Sequence, residues 1–185
     1  PQAKDSYLTL LEPADKAITY EKEIKCRGIV EPEVFKVEVN GVEVKLNKDT
    51  HEFTAMIPLD IGKNILIAKA FAEDGKLLGM EKRRIISMAS FPDVTEGFWA
   101  KKDIEEAATT YLVEGYPDGT FKPANILNRA ELTTIMVRLK SEKVDDTAVL
   151  DPKLFKDLPR SHWAAKYIAK AMEVGLVVGY PDKTF

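Results

Sequence analysis

The chain has 185 residues, 45% of them apolar and 31% charged, with 30 acidic side chains against 27 basic ones and a formal net charge of −3. This is the make-up of a globular protein with room for one large core or two small ones, and it lacks the basic excess that a nucleic-acid partner requires. No window reaches the roughly 20 consecutive apolar residues that cross a bilayer, so direct membrane insertion is not expected.

The first residue is Pro1, with neither the charged nor the apolar region of a secretion signal behind it. Such a signal is expected to have been removed or to lie outside this sequence. From Tyr7 to about Met88 apolar and polar residues tend to alternate, as in Phe35-Lys36-Val37-Glu38-Val39 and Ile65-Leu66-Ile67-Ala68-Lys69-Ala70-Phe71. Period-2 alternation marks half-buried strands. Asn40-Gly41, set between Val37-Glu38-Val39 and Val42-Glu43-Val44, is a strong hairpin signal, and turn residues recur at Asp60-Ile61-Gly62 and Asp74-Gly75. About seven short strands at this spacing predict a β-sandwich. Cys26 is the only cysteine, which excludes an internal disulfide and a cysteine-rich zinc site, and it reads as a small buried side chain on a strand.

After Ser90 the period changes. Trp99, Ala100, Ile104, Ala107, Ala108, Tyr111 and Leu112 fall on one helical stripe. So do Leu132, Ile135, Met136 and Leu139, and a third stripe joins Trp163, Ala164, Tyr167, Ile168, Ala171 and Met172. The second half also repeats itself. Residues 91–121 and 155–185, aligned at an offset of 64, share 15 identities in 31 positions. Each copy runs from a Phe-x-Asp start through a Trp-led helix to a loop, GYPDGTF at 115–121 and GYPDKTF at 179–185. Fixed-period self-similarity means supersecondary units that share a core. Ser141 to Lys153 reads as a long charged connection.

Phe91-Pro92-Asp93-Val94, Trp99, the 115–121 loop followed by Lys122-Pro123, and Leu127-Asn128-Arg129-Ala130-Glu131 resemble the S-layer homology domain family. In the first half, Glu12-Pro13-Ala14-Asp15, Ile24-Lys25-Cys26-Arg27-Gly28, Val39-Asn40-Gly41, Phe53 and Gly62-Lys63-Asn64-Ile65 resemble bacterial immunoglobulin-like modules. The resemblances imply an α+β multidomain chain: an immunoglobulin-like β-sandwich over 1–90, a complete α-helical S-layer homology repeat over 91–145, and a truncated one over 146–185. They imply a secreted, non-catalytic module at the bacterial surface, cell wall or S-layer. It would hold acidic, pyruvylated secondary cell-wall polysaccharide or peptidoglycan, while the sandwich serves as spacer or adhesion domain. Two alternatives stay open: the targeting fragment of a surface glycan hydrolase, and an S-layer or envelope subunit that self-associates by pooling repeats between chains. Asn128 stands where the family usually has Thr, and Tyr111 where it usually has Gly, as at Gly175 in the second copy.

Residue chemistry gives these expectations roles. Pro117 fixes φ, Asp118 can bond its own turn and Gly119 can take positive φ, so the loop reverses tightly. Phe121 then turns inward as a plug, and Asp93, Trp99, Gly115, Phe121, Trp163 and Gly179 are the residues that define the repeat. Both tryptophans are expected in the core. Tyr116 is either a partly buried ring or a platform for a sugar. Asn128 and Glu131 have capping-box spacing, which puts Arg129 at the first turn, where a cation opposes the helix dipole. Either an anionic ligand held with the helix N-terminus or an ion pair with Asp93, Asp118 or Glu131 accounts for it, and the resemblance favours the ligand. Arg129, Tyr116, Glu131, Asp118 and Asn128 are therefore the expected glycan-binding residues. Asp93 and Asp157 are expected to bond backbone amides near the helix starts. No cofactor, metal or catalytic residue is expected: His51 and His162 lack ligand spacing, and Glu105-Glu106 reads as a solvated helix face.

Overall fold

The computed structural model describes residues 6–148, 150–151 and 153–185. Pro1, and the reading attached to it, lies outside them. Among the described residues the strands are β1 (Leu8–Glu12), β2 (Ala17–Thr19), β3 (Glu23–Val30), β4 (Lys36–Val39), β5 (Val42–Val44), β6 (Leu46–Asn47), β7 (Glu52–Pro58), β8 (Gly62–Phe71) and β9 (Leu77–Ser87). Three helices follow, α1 (Lys101–Thr109), α2 (Arg129–Leu139) and α3 (Ala165–Glu173).

The chain divides into two units, one of residues 1–90 with 99–110, the other of 91–98 with 111–185. In the first, a four-stranded sheet has the order β1-β3-β7-β6 and a five-stranded sheet the order β2-β9-β8-β4-β5. All pairings are antiparallel except β2 with β9. The two sheets share one core, in which Leu8, Cys26 and Phe53 meet Val37, Leu66 and Ile85. Alternation supplies it: Val37 and Val39 of β4 point in, while the Asn40-Gly41 turn, with φ of +50° and +81°, joins β4 to β5. Burial pushes the Cys26 thiol up to about 11, so it stays protonated and unreactive at neutral pH.

The expected α+β class, with α-helical repeats filling the second half, is overturned. Among the described residues the protein is mostly β sheet with three short helices of 9, 11 and 9 residues, and the rest of the described second half is turns and loops. The apolar stripes run past the helices that form: Trp99 and Ala100 precede α1, Tyr111 and Leu112 follow it, and Trp163 and Ala164 precede α3. Each helix is stopped by a residue with left-handed φ, Tyr111 (+59°), Ser141 (+53°) or Gly175 (+71°). After α3 this is a Schellman end: the Leu176 amide donates to Ala171 O at 2.7 Å and the Gly175 amide to Met172 O at 3.1 Å. Position 111 is thus a helix stop in the same backbone state as Gly175, which is why the other copy has Gly there.

Burial also departs from the stripes. On α2 the buried residues are Thr133, Thr134 and Val137, whereas Leu139 is 63% exposed. The two threonine hydroxyls donate to the carbonyls of Arg129 and Ala130 at 2.8 and 2.9 Å, so their burial leaves no unpaired polar atom. On α1, Glu105 is buried rather than solvated. In the second unit Phe155, Leu158, Ala164 and Ile168 form the core with Leu150 from the 141–153 connection, which also returns Asp146 to Lys166.

Gly28 marks the tightest point between the β1 and β7 neighbours of β3: a Cβ there would lie 2.5 Å from the Phe53 ring and 2.8 Å from Thr9 O. Gly28→Ala should lower stability by about 1–3 kcal/mol, read as a fall in the denaturant midpoint of the β unit. Gly175→Ala should cost about 1 kcal/mol and Tyr111→Gly should raise stability, both measured by thermal unfolding.

Candidate functional site

The two loops are built alike from local chemistry. In the first, the Tyr116 amide donates to Thr120 O at 2.7 Å and the Gly119 amide to Tyr116 O at 2.9 Å. In the second, the Tyr180 amide donates to Thr184 O at 2.9 Å and the Lys183 amide to Tyr180 O at 3.0 Å. Asp118 Oδ1 accepts from the Thr120 amide and hydroxyl, and Asp182 Oδ1 does the same for Thr184. The reversal needs positive φ at its fourth residue after the first glycine, met by Gly119 at +81° and by Lys183 at +63°.

The leading glycine of each loop has a steric reason. A Cβ on Gly115 would lie 2.4 Å from the Phe91 ring, and one on Gly179 would lie 2.3 Å from the Phe155 ring. Phe91 packs on Phe121 with centroids 5.2 Å apart, and Phe155 on Phe185 at 5.3 Å. Asp93 and Asp157 do not cap the helices. The N-caps of α1 and α3 are Ala100 and Ala164, with no side-chain bond. Instead Asp93 accepts from the amides of Phe121 and Lys122 at 2.9 and 2.7 Å, and Asp157 from the Phe185 amide at 3.0 Å. The Phe121 amide bond is the main cause that holds the Asp93 carboxyl below its usual range. Asp118 is held well below its own by hydrogen bonds from Lys122 and Thr120.

At the start of α2, Asn128 accepts from the Glu131 amide at 2.9 Å while Glu131 Oε2 accepts from the Asn128 amide at 2.8 Å. This capping box leaves Glu131 Oε1 free to accept from the Tyr116 hydroxyl at 3.3 Å. Tyr116, whose ring carries the Lys122 ammonium at 4.4 Å, is thereby tied to α2. A groove of about 560 Å³ opens beside these groups. Tyr116, Glu131 and Lys122 line it together with Trp163, Ile126 and Arg138.

The expected glycan residues thus fall into two places. Tyr116 and Glu131 meet in the groove, whose lining leaves out Asp118, Asn128 and Arg129. Arg129 turns toward the second loop, donating to Val178 O and to Phe185 O, with its guanidinium carbon 4.5 Å from both the Tyr180 and the Phe185 ring centres. It pairs with none of the three acids considered for it; the backbone carbonyls and rings of the second copy take its charge. Trp163, expected in the core, is 55% exposed in the groove, and Trp99 is 87% exposed. Ile126, at 94% exposure, and Arg138, bonded to Glu114 at 2.8 Å and to the Tyr167 hydroxyl at 3.0 Å, complete a lining that pattern reading misses. One signal is present in the sequence: Ile126-Leu127 is an apolar pair outside any helical stripe, just ahead of the cap.

Residues 90–133 and 154–185 match the S-layer homology domain. These segments belong to the S-layer homology domain family. The chain is 36% identical over 132 residues to "Cell surface glycoprotein 1" of Acetivibrio thermocellus, covering 66% of this chain and 6% of that protein. It is also 36% identical over 126 residues to the "Cellulosome-anchoring protein" of the same organism, covering 66% of this chain and 28% of that one. The chain therefore spans less than a third of either relative. Among solved structures, the fibronectin(III)-like modules of Clostridium thermocellum CbhA align with 43% of this chain and 94% of that chain, at a TM-score of 0.35 and 13% identity. No helix among the described residues is long and apolar enough to cross a membrane, and no group of three or more metal-ligating side chains occurs among them.

The depressed carboxyls set an acid limit on the first S-layer homology loop. Because folding lowers the affinity of Asp93 and Asp118 for protons, their contribution is complete above the ordinary carboxylate value of about 4 and is lost as pH falls through the lower folded values. Amide protection of Phe121 and Lys122 should hold from neutral pH to about pH 5 and fall in stronger acid. In Asp93→Asn it should be weak across the whole range, as followed by hydrogen exchange.

Proposed function

We propose that this chain is a non-catalytic anchoring module that works outside the cell, at the bacterial surface, wall or S-layer. Its S-layer homology repeats, over 91–145 and 146–185, bind acidic, pyruvylated secondary cell-wall polysaccharide or peptidoglycan, and residues 1–90 space or display what is anchored. The observation that carries this reading is the groove of about 560 Å³ with Tyr116 and Trp163 on its walls and Glu131, Lys122 and Arg138 among them. Aromatic faces take the apolar face of a sugar ring, and charged groups at their edges take its hydroxyls and acids.

Arg129, Tyr116, Glu131, Asp118 and Asn128 form the glycan-binding set, in two roles. Glu131 and Asn128 hold the start of α2 and Asp118 holds the loop, so Tyr116 keeps its place on the groove. Arg129 is the receptor for a ketal carboxylate, since a guanidinium against aromatic rings is sheltered from water and pairs strongly with a planar acid. To reach it, the carboxylate exchanges places with the carbonyls of Val178 and Phe185. We take the chain to perform no catalysis: the adjacent acids of α1 are divided, Glu105 buried and Glu106 exposed, and do not form a paired acid and base.

Purified sacculi supply the test. Arg129→Ala should reduce their capture by tenfold or more, Arg129→Lys should restore little of it, and Trp163→Ala should cost about tenfold. Stripping the ketal from the sacculi should have the effect of Arg129→Ala. Capture that survives all three changes, in variants whose circular dichroism is native, would sink the assignment.

A further inference from the structure

Glu105 of α1 has no part in the wall-binding reading, yet its carboxylate is buried, at 2% exposure. A carboxylate out of water is costly unless it is paired and hydrogen-bonded. Here it is both. The Tyr20 hydroxyl donates to Oε2 at 3.0 Å, and Lys101 Nζ, one turn back on the same helix, donates to Oε1. The Lys101 ammonium also lies 5.3 Å from the centre of the Tyr20 ring, so lysine, tyrosine and glutamate close on one another. One turn on, the buried Thr109 hydroxyl donates to Glu105 O at 2.6 Å and accepts the Ala89 amide at 2.9 Å.

The β-unit ends of these contacts have a common origin. Tyr20 follows β2 directly, and Ala89 lies two residues past β9. β2 is a three-residue edge strand paired in parallel with β9, Ala17 beside Ile85 and Thr19 beside Ser87. So short a strand at a sheet edge holds little by itself. α1 is bonded to the chain just beyond both members of that pair.

We infer that α1 is a clasp on the β2–β9 edge: the helix and the edge strand order together, and the Glu105 carboxylate is the tie between them. The first helix of the S-layer homology repeat is then a working part of the β unit. Residues 99–110 fall in the same unit as the two sheets.

Hydrogen exchange of the whole chain tests this at neutral pH. Glu105→Gln keeps the shape but removes the carboxylate's charge, and Tyr20→Phe removes the hydroxyl alone. Each should speed exchange of 104–109 and of 17–19 together, by tenfold or more, with β3 and β7 unchanged. The double variant should add little to either single one, because both cut the same tie. Thr109→Val, which removes the acceptor of the Ala89 amide, should loosen the same two segments. Loosening of α1 with 17–19 still protected, full additivity in the double variant, or no change in either segment would overturn the clasp.

Discussion

Asp93 reaches across 28 residues of chain to hold the amides of Phe121 and Lys122, and the repeat depends on that closure. It brings the start of a copy to the end of its loop, which puts Phe91 on Phe121 and presses its ring against Gly115. A side chain at Gly115 would hold the rings apart and pull the amides off the carboxylate. The glycine, the two phenylalanines and the aspartate are one steric and electrostatic unit, and Asp157, Phe155, Phe185 and Gly179 repeat it. Both copies keep all four parts.

Where the copies differ, the differences fall on backbone state. Gly119 and Lys183 occupy the same left-handed position, as do Tyr111 and Gly175, so each copy has one glycine where the other carries the strain of a larger residue. The hydrogen bonds inside the loops, alike in the two copies, hold Gly119 and Lys183 in place. Arg129 then joins the copies, since a residue at the start of α2 is lodged in the loop of the second copy. A cation unfavourable at a helix start is tolerated because its charge lies on distant carbonyls and rings.

What is legible in the sequence is what neighbours in sequence decide. Asn40-Gly41 names its hairpin, Asn128 and Glu131 name their capping box, and the 115–121 loop names its turn, because each is closed by residues within a few positions. What depends on distant partners is not legible. The α2 stripe points to Leu132 and Leu139, but the packing surface wants the small threonines, whose hydroxyls their own helix satisfies. Glu105 looks solvated until Tyr20, 85 residues away, covers it. The helical class fails for the same reason: periodicity marks where a helix is favoured, while left-handed stops, loops and prolines decide how little of the segment it fills. Tyr116 and Glu131 could be named for the groove from their motif, whereas Trp163 and Arg138 join it only through folding.

Charge frames the functional question. If the partner is the acidic polymer proposed above, a chain with a formal net charge of −3 gains nothing from long-range attraction to it, and steering is not the basis of recognition. Contact must carry it, and contact is where the second half concentrates its means: exposed rings at Tyr116 and Trp163, and a guanidinium flanked by Tyr180 and Phe185. Beside those rings little water competes, and a single cation there counts for more than several lysines on an open face. On the sheets of the first half Lys36 also lies near a ring, 5.0 Å from the centre of Phe71, but its charge is paired with Glu38. The carbonyls of Val178 and Phe185 already occupy Arg129, so on the proposed reading an incoming acid would gain only the difference between its own contacts and theirs. On that reading a carboxylate would be preferred over a hydroxyl, because a neutral oxygen offers the guanidinium no more than it already has.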